Sequence, residues 1–226
     1  MTEIAPGTLV LVATPIGNLD DISPRALEAL SGADAVMAED TRRTCRFVPD
    51  RKRLYSYHDH NATGRLPQIE DFLRQGLTVA MASDAGTPGI SDPAYRAVSL
   101  AISLGAGVTM IPGPSAVITA LVLSGLPTDR FAFEGFPPVK KGKRLKRFGE
   151  MASYTGTIAY YVGPHHLART LEELHSVMGE RRCCVARELT KIHEETVRGT
   201  LSELADRYSG TSPRGEITLL VEGAPR

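Results

Sequence analysis

The sequence predicts an α/β protein made of two α/β domains in succession. Three observations carry that expectation. Short apolar segments rich in β-formers alternate with segments of helical periodicity, the pattern of helices layered on sheets. Caps and breakers fall between them, as at Ser23-Pro24, Gly32 and Gly76. The sharpest break, Pro112-Gly113-Pro114, lies midway along the 226 residues. It places a boundary between residues 112 and 126, with domains over 1–112 and 113–226.

In the first half, residues 8–14 are almost continuously apolar, as suits a strand covered on both faces. A helix follows from Ser23-Pro24 to Gly32, then strands over 35–38 and 54–57. Leu66, Ile69 and Leu73 keep helical spacing before Gly76, and residues 78–83 form another buried-type strand. Tyr95, Val98 and Ile102 share one face of the next helix, before a strand over 108–111. In the second half Ser115 caps an apolar helix to about Ser124. Strands over 131–133, 157–162, 183–187 and 217–221 alternate with helices. One is basic, near 141–152; another carries Leu167, Leu171, Leu174 and Met178, and the last carries Leu201, Leu204 and Tyr208.

Composition narrows the class. The chain is 42% hydrophobic and 23% charged, with Lys plus Arg equal to Asp plus Glu at 26 each. No apolar run approaches the ~20 residues that span a bilayer. Residues 1–6 lack the basic start and apolar block of a signal peptide. Cys45, Cys183 and Cys184 build no disulfide framework. These features predict a soluble cytoplasmic protein. The neutral total hides two basic stretches, however. Six of the eight residues from 140 to 147 are basic: Lys140, Lys141, Lys143, Arg144, Lys146 and Arg147. A second set, Arg42, Arg43, Arg46, Arg51, Lys52 and Arg53, has only Asp50 among it. Either alone reads equally as a solvated helix face; two in one chain favour an anionic partner.

Familiar catalytic motifs are mostly absent. There is no P-loop and no G-x-S-x-G, and Gly105-Ala106-Gly107 opens a strand instead of closing one. His58 and His60 flank Asp59, yet no further ligands support a metal. What stands out is a set of stiff loops at strand ends: residues 14–18, 83–93 and 112–115. In an open parallel sheet such loops converge on the ligand crevice. Glycine permits close backbone approach and proline pre-shapes the loop. With Asp84 and Asp92, the loops suit a small ligand with a cationic end.

Seven segments, in this order and spacing, resemble the bacterial 16S rRNA (cytidine) 2′-O-ribose methyltransferases of the tetrapyrrole methylase (class III) superfamily. They are Thr14-Pro15-Ile16-Gly17-Asn18-Leu19, Glu39-Asp40-Thr41-Arg42, Tyr57-His58-Asp59-His60-Asn61, Ser83-Asp84-Ala85-Gly86-Thr87-Pro88, Pro112-Gly113-Pro114-Ser115-Ala116, Gly125-Leu126-Pro127-Thr128-Asp129-Arg130-Phe131 and Ala186-Arg187-Glu188-Leu189-Thr190-Lys191. The resemblance runs from about residue 8 to 223. It implies S-adenosylmethionine as methyl donor, held in a cleft between two α/β domains, a homodimer, and a decoding-centre cytidine of 16S rRNA as substrate. Carried over by position, the donor site comprises Pro15, Asp84, Ala85, Gly86, Ile90, Ser91 and Asp92. It continues with Thr119 and Ala120, Ala186 and Leu189, and Arg214, Gly215 and Glu216. Two departures stand out: Tyr161-Val162-Gly163-Pro164-His165-His166 replaces the usual Tyr-Glu-Ser-Pro-His-Arg, and the sequence closes at Arg226, where many relatives continue.

A ribose hydroxyl is a poor nucleophile at neutral pH, so a base should contribute ~10²–10⁴-fold. Glu39 and His58 are the first candidates, then Asp40 and His60; Glu39-Asp40 reads alternatively as a helix cap. Arg42, Arg43 and residues 140–147 would grip phosphates of 16S rRNA or the small ribosomal subunit. Tyr55 or Tyr57 would stack a splayed base. The alternatives are a tetrapyrrole or other small acceptor, or a non-catalytic RNA-binding module.

Overall fold

The apolar segments of the first half assemble into one sheet. The computed structural model describes residues 7–48 and 53–225; residues 1–6, and the basic stretch's Asp50, Arg51 and Lys52, lie outside the described residues. By its internal contacts the chain divides into two compact units, Met1–Ser115 and Ala116–Arg226.

In the first unit the strands are β1 (Thr8–Val12), β2 (Ala35–Ala38), β3 (Leu54–Ser56), β4 (Thr78–Ala82) and β5 (Gly107–Ile111). They stand in the order β3-β2-β4-β1-β5, all parallel. The helices between them are α1 (Pro24–Gly32), α2 (Thr41–Thr44), α3 (Ala62–Arg74) and α4 (Ala94–Ser103). Ser23 starts α1 as its sequence predicts, its Oγ accepting the Ala26 N–H at 3.1 Å. Alternate residues of the buried strands face opposite ways. Leu9, Met37, Val79 and Met81 pack with Ile69 and Leu73. Val12, Val36 and Ala80 pack with Ala26 and Leu30 on the other side.

Two differences from expectation have physical causes. Tyr95 and Ile102 do share a face of α4, but it is the outer one; they are 59% and 65% exposed, while Ala94, Ala97 and Ala101 are buried. Both sets have the same spacing, and the smaller side chains let the helix sit close to the sheet. The helix after Glu39-Asp40, expected only under the alternative reading of those residues as a cap, is the single turn α2. It forms because Asp40 caps it, accepting the Arg42 N–H at 2.9 Å.

The second unit opens with α5 (Ala116–Ser124). There follow β6 (Phe131–Phe133), α6 (Lys141–Met151), β7 (Thr157–Val162), α7 (Leu167–Met178), β8 (Arg182–Arg187), β9 (Glu195–Thr200), α8 (Leu201–Tyr208) and β10 (Ile217–Val221). The order is β6-β7-β10-β8-β9. Only β6 and β7 pair parallel; β10 runs antiparallel to both β7 and β8, and β9 to β8. Phe148, Leu171, Leu174, Leu201 and Tyr208 bury the helices against Ile158, Tyr160, Val185 and Leu219. The strand β9 also escapes the sequence expectation, because an edge strand with Glu195, Arg198 and Gly199 lacks an apolar run. Among the described residues no helix is long and apolar enough to cross a membrane.

Candidate functional site

Because the first sheet is all parallel, the loops after its five strands leave along one edge. They are tied together by main chain. Thr14 and Gly86 exchange N–H···O bonds of 2.9 and 3.0 Å, and the Thr14 hydroxyl donates to the Ser83 carbonyl at 3.1 Å. The Thr87 hydroxyl donates to the Pro114 carbonyl at 3.1 Å. Gly86 sits at φ 83, where a Cβ would lie 3.2 Å from Ile16 Cγ2 and 3.5 Å from the Pro114 oxygen. The structure thus brings Pro15, Ala85 and Gly86 into one knot with the 112–115 turn.

The acids at this edge divide by what they already hold. Asp84 Oδ1 accepts the Asp40 N–H at 2.7 Å, while the Asp84 N–H donates to Glu39 Oε2 at 3.3 Å. Asp40 also takes a forked bond from Arg42, at 2.9 Å from Nε and 2.7 Å from Nη2. That guanidinium lowers the Asp40 carboxyl to about 2. Asp40 is therefore a cap and a very weak base, contrary to its candidacy. Asp92 accepts the N–H groups of Gly89 and Ala94, both at 2.8 Å. It braces the turn that leaves Ile90 and Ser91 exposed. Glu39 differs: burial, first of all, pushes its carboxyl above the usual 4.5, with the charges of Asp84, Asp92 and Asp59 adding to it.

The His58 backbone is held by Asn61, whose Oδ1 accepts the His58 N–H at 2.8 Å. The Asn61 amide nitrogen donates to Ser56 Oγ at 2.7 Å and also lies 3.3 Å from His58 Nε2. The His58 Nδ1 is buried without a partner. His60, 5.9 Å away ring to ring, is exposed. Tyr57 cannot stack on RNA: it is 3% exposed and donates its hydroxyl to the Pro93 carbonyl at 3.1 Å. Tyr55 packs on Phe72, centroids 5.4 Å apart. Among the described residues no three His, Cys, Asp or Glu side chains gather as a metal centre.

In the second unit the antiparallel β10 does what parallel pairing does in the first. Ile217 lies opposite both Val162 and Arg187, so the turn entering β10 sits beside the turns leaving β7 and β8. Gly163–His166, Leu189 and Arg214–Glu216 meet there, next to the buried Ala186. The fastening is ionic. Lys191 Nζ pairs with Glu188 Oε1 at 2.7 Å and Glu216 Oε2 at 3.0 Å. Gly215, at φ 95, leaves room for the Glu188 side chain. Glu216 is thus already paired with Lys191. Thr119 and the buried Ala120 lie on α5, which packs against β7, β8 and β10.

The basic stretches are less available than their charge suggests. Arg144 is 3% exposed and pairs with Glu173 through bonds of 2.5 and 2.7 Å, so it cannot reach a phosphate. Arg147 pairs with Glu134 at 2.5 Å and Glu150 at 2.8 Å. Arg42 is bound to Asp40, and Arg43 lies 3.8 Å from Asp84. Lys140, Lys141, Lys143 and Lys146 face solvent.

Comparison with known proteins identifies this arrangement. Residues 8–205 match the family of tetrapyrrole (corrin/porphyrin) methylases. The chain belongs to the tetrapyrrole methylase family. Within that family it is 48% identical to "Ribosomal RNA small subunit methyltransferase I" of Mesorhizobium japonicum, over 94% of this chain and 74% of that one. The protein of the same name from Halalkalibacterium halodurans is 44% identical, over 96% and 76%. Among solved folds, uroporphyrin-III C-methyl transferase of Thermus thermophilus, complexed with S-adenyl homocysteine, superposes with TM-score 0.65 at 18% identity, over 96% and 97%.

For this methylase, sequence reasoning missed the bracing partners. Asn61, beside His58, and Lys191, beside Glu216, each end one of the motif segments quoted above, and their place there was the available signal. Arg144 also had one: it precedes the core Phe148 by four residues, one helical turn, and so shares its inward face.

Proposed function

We propose that this methylase transfers a methyl group from S-adenosylmethionine to the ribose 2′-hydroxyl of a decoding-centre cytidine in 16S rRNA. The observation that carries the reading is the 44–48% identity, over nearly the whole chain, to relatives named for small-subunit rRNA methylation. The outward lysines of α6 support it, since a small macrocyclic acceptor has no use for them.

The knotted loops fit the donor. The backbone at Gly89, Ile90 and Ser91 is outward and rigidly braced, with Ser91 at φ 66, a conformation that residues other than glycine adopt at a cost of about 1–3 kcal/mol. Such strain is concentrated at ligand clamps. Pro15, Asp84, Ala85, Gly86, Ile90, Ser91 and Asp92 would hold the donor from the first unit. Thr119, Ala120, Ala186, Leu189, Arg214, Gly215 and Glu216 would do so from the second. When bound, the donor supplies an electrophilic methyl on a sulfonium. Glu39 is the base of this reading: its raised pKa makes Oε1 or Oε2 a better proton acceptor than an ordinary carboxylate. His60 is the second candidate.

The test is incubation of the full chain with tritiated donor and unmodified small subunits, followed by nucleoside chromatography. Label in 2′-O-methylcytidine supports the reading. Label on a porphyrin acceptor instead, or donor binding without any transfer, refutes it. The same reading makes the enzyme a cytoplasmic homodimer. Sedimentation near twice 24.4 kDa is expected, and a strict monomer would contradict that part.

A further inference from the structure

We propose that Phe136 is a base-stacking platform for single-stranded RNA, with the outward lysines of α6 as its phosphate contacts. The proposal rests on the rRNA reading above and says which surface of the second unit receives the strand.

Single exposed apolar side chains are ordinary on protein surfaces. Phe136 is 64% exposed, but its surroundings are not those of a stray side chain. The segment carrying it is fastened at both ends. The Glu134 N–H donates to the Ala159 carbonyl and the Tyr161 N–H to the Gly135 carbonyl, each at 2.9 Å. Gly135 turns the chain at φ 63, and Pro137-Pro138 stiffen the backbone on the far side of the ring. Arg144 donates to the carbonyls of Pro138 and Val139 at 2.9 and 2.8 Å, and Arg147 holds Glu134. Of the two arginines of the basic run, Arg144 is thus spent inward on this loop, and Arg147 is paired at the surface with Glu134 and Glu150.

The ring itself is propped. Phe136 leans on Tyr161 with centroids 5.6 Å apart at 58°, and Tyr161 meets the edge of Phe133 at 4.8 Å and 68°. An aromatic ring held this way loses little freedom when a base lands on it, which favours binding. Lys140, Lys141, Lys143 and Lys146 come next in the chain and face solvent. A pre-set aromatic beside a cationic track is how single strands are held without reading sequence. Splayed, unstacked nucleotides are what protein modules take from structured RNA. The lysines make an RNA occupant a better match than an apolar protein surface.

The experiment uses the full chain and a 12-nucleotide single-stranded RNA carrying 2-aminopurine at one position per probe, scanned along the strand. Wild type is expected to bind and to quench 2-aminopurine at one or two positions. Phe136→Ala should weaken binding by about 5- to 150-fold, the size of one lost base–aromatic stack, and abolish that quench without changing the salt slope. Phe136→Trp should restore both. Lys143→Glu with Lys146→Glu should do the reverse, lowering the salt slope while the residual complex still quenches. Thermal unfolding checks that each variant folds. Equal affinity and equal quench in Phe136→Ala overturns the platform, as does wild type that binds no RNA, which would leave this face to a protein partner. Methyl transfer to small subunits, assayed alongside, separates the two readings. Quench without transfer in wild type removes the enzymatic reading and keeps the platform; transfer with an unaltered KM in Phe136→Ala does the opposite.

Discussion

The two units gather their candidate residues at one end of a sheet by different physical means. In the first, neutral hydrogen bonds knot three loops together, as in the main-chain Thr14–Gly86 exchange and the bond from the Thr87 hydroxyl to the Pro114 carbonyl. In the second, charges do it: Lys191 between Glu188 and Glu216, and Arg187 with Glu195 at 3.1 Å. The contrast follows from topology. Parallel strands put successive carboxyl ends side by side, so glycine and proline suffice to join them. A mixed sheet brings together turns of opposite direction, and long charged side chains reach across them. Main-chain knots are indifferent to salt and pH, whereas exposed ion pairs weaken with both. The first unit's site should therefore be the stiffer of the two.

The largest effect is expected where that stiff frame holds a carboxylate with no strong partner. Glu39→Gln should lower kcat by about 10²–10⁴-fold with donor affinity retained, the usual contribution of a positioned base. Single-turnover rates with small subunits would measure it, and a kcat within a few-fold of wild type would transfer the role to His60. Next in size is the buried ion pair of the second unit. Arg144→Met leaves Glu173 uncompensated and should cost about 3–5 kcal/mol in urea unfolding. Adding Glu173→Leu should recover much of that loss; no recovery would mean that Arg144 acts mainly through the Pro138 and Val139 carbonyls.

How much of this was legible beforehand differs between the units for the same physical reason. Strands β1 and β4 were visible because parallel strands covered on both faces are apolar throughout, and the loops after them were visible as glycine and proline. What each acid does was not visible. Asp84 is bonded to Asp40, 44 positions away in sequence, and nothing local distinguishes a brace from a free carboxylate. The basic helix shows the same limit. Lys143 and Arg144 are neighbours in the chain, yet one faces solvent and the other is buried against Glu173.

Glycine substitutions compare the two kinds of fastening directly. Both Gly86 and Gly215 have positive φ, at 83° and 95°, so Ala at either position is strained by about 1–2 kcal/mol. At Gly86 the new Cβ lies 3.2 Å from Ile16 Cγ2, a tight contact, and 3.5 Å from the Pro114 oxygen, an ordinary one. At Gly215 it falls well inside van der Waals contact of Glu188 Cγ, Cδ and Oε1, so that side chain must move, at the expense of its bond to Lys191. Gly215→Ala should therefore destabilise more, while the smaller effect of Gly86→Ala should be equal at low and high salt. Gly215→Ala should lose part of its effect in high salt, where the ion pair was contributing little. Matching salt responses would remove the distinction between the two fastenings.

The smallest effect, and the one that tests the contrast most directly, is the pH dependence of stability. Burial raises the Glu39 carboxyl above 4.5, so the folded state binds that proton more tightly than the unfolded one. Its contribution is favourable at low pH and is lost as pH climbs from 4.5 through the raised value. Glu188 is opposite: the Lys191 hydrogen bond lowers its carboxyl below 4.5. Its contribution is present above 4.5 and disappears as pH falls through the lowered value. Urea titrations from pH 3 to 7 should therefore respond with opposite signs to two substitutions. Glu39→Gln should gain stability relative to wild type as pH rises above 4.5. Glu188→Gln should lose stability relative to wild type as pH rises from the lowered value to 4.5, with the difference constant above 4.5 and vanishing in acid. If the two curves moved together, the carboxylates would share one kind of environment, and the division between a main-chain frame and an ionic one would fail at the residues that define it.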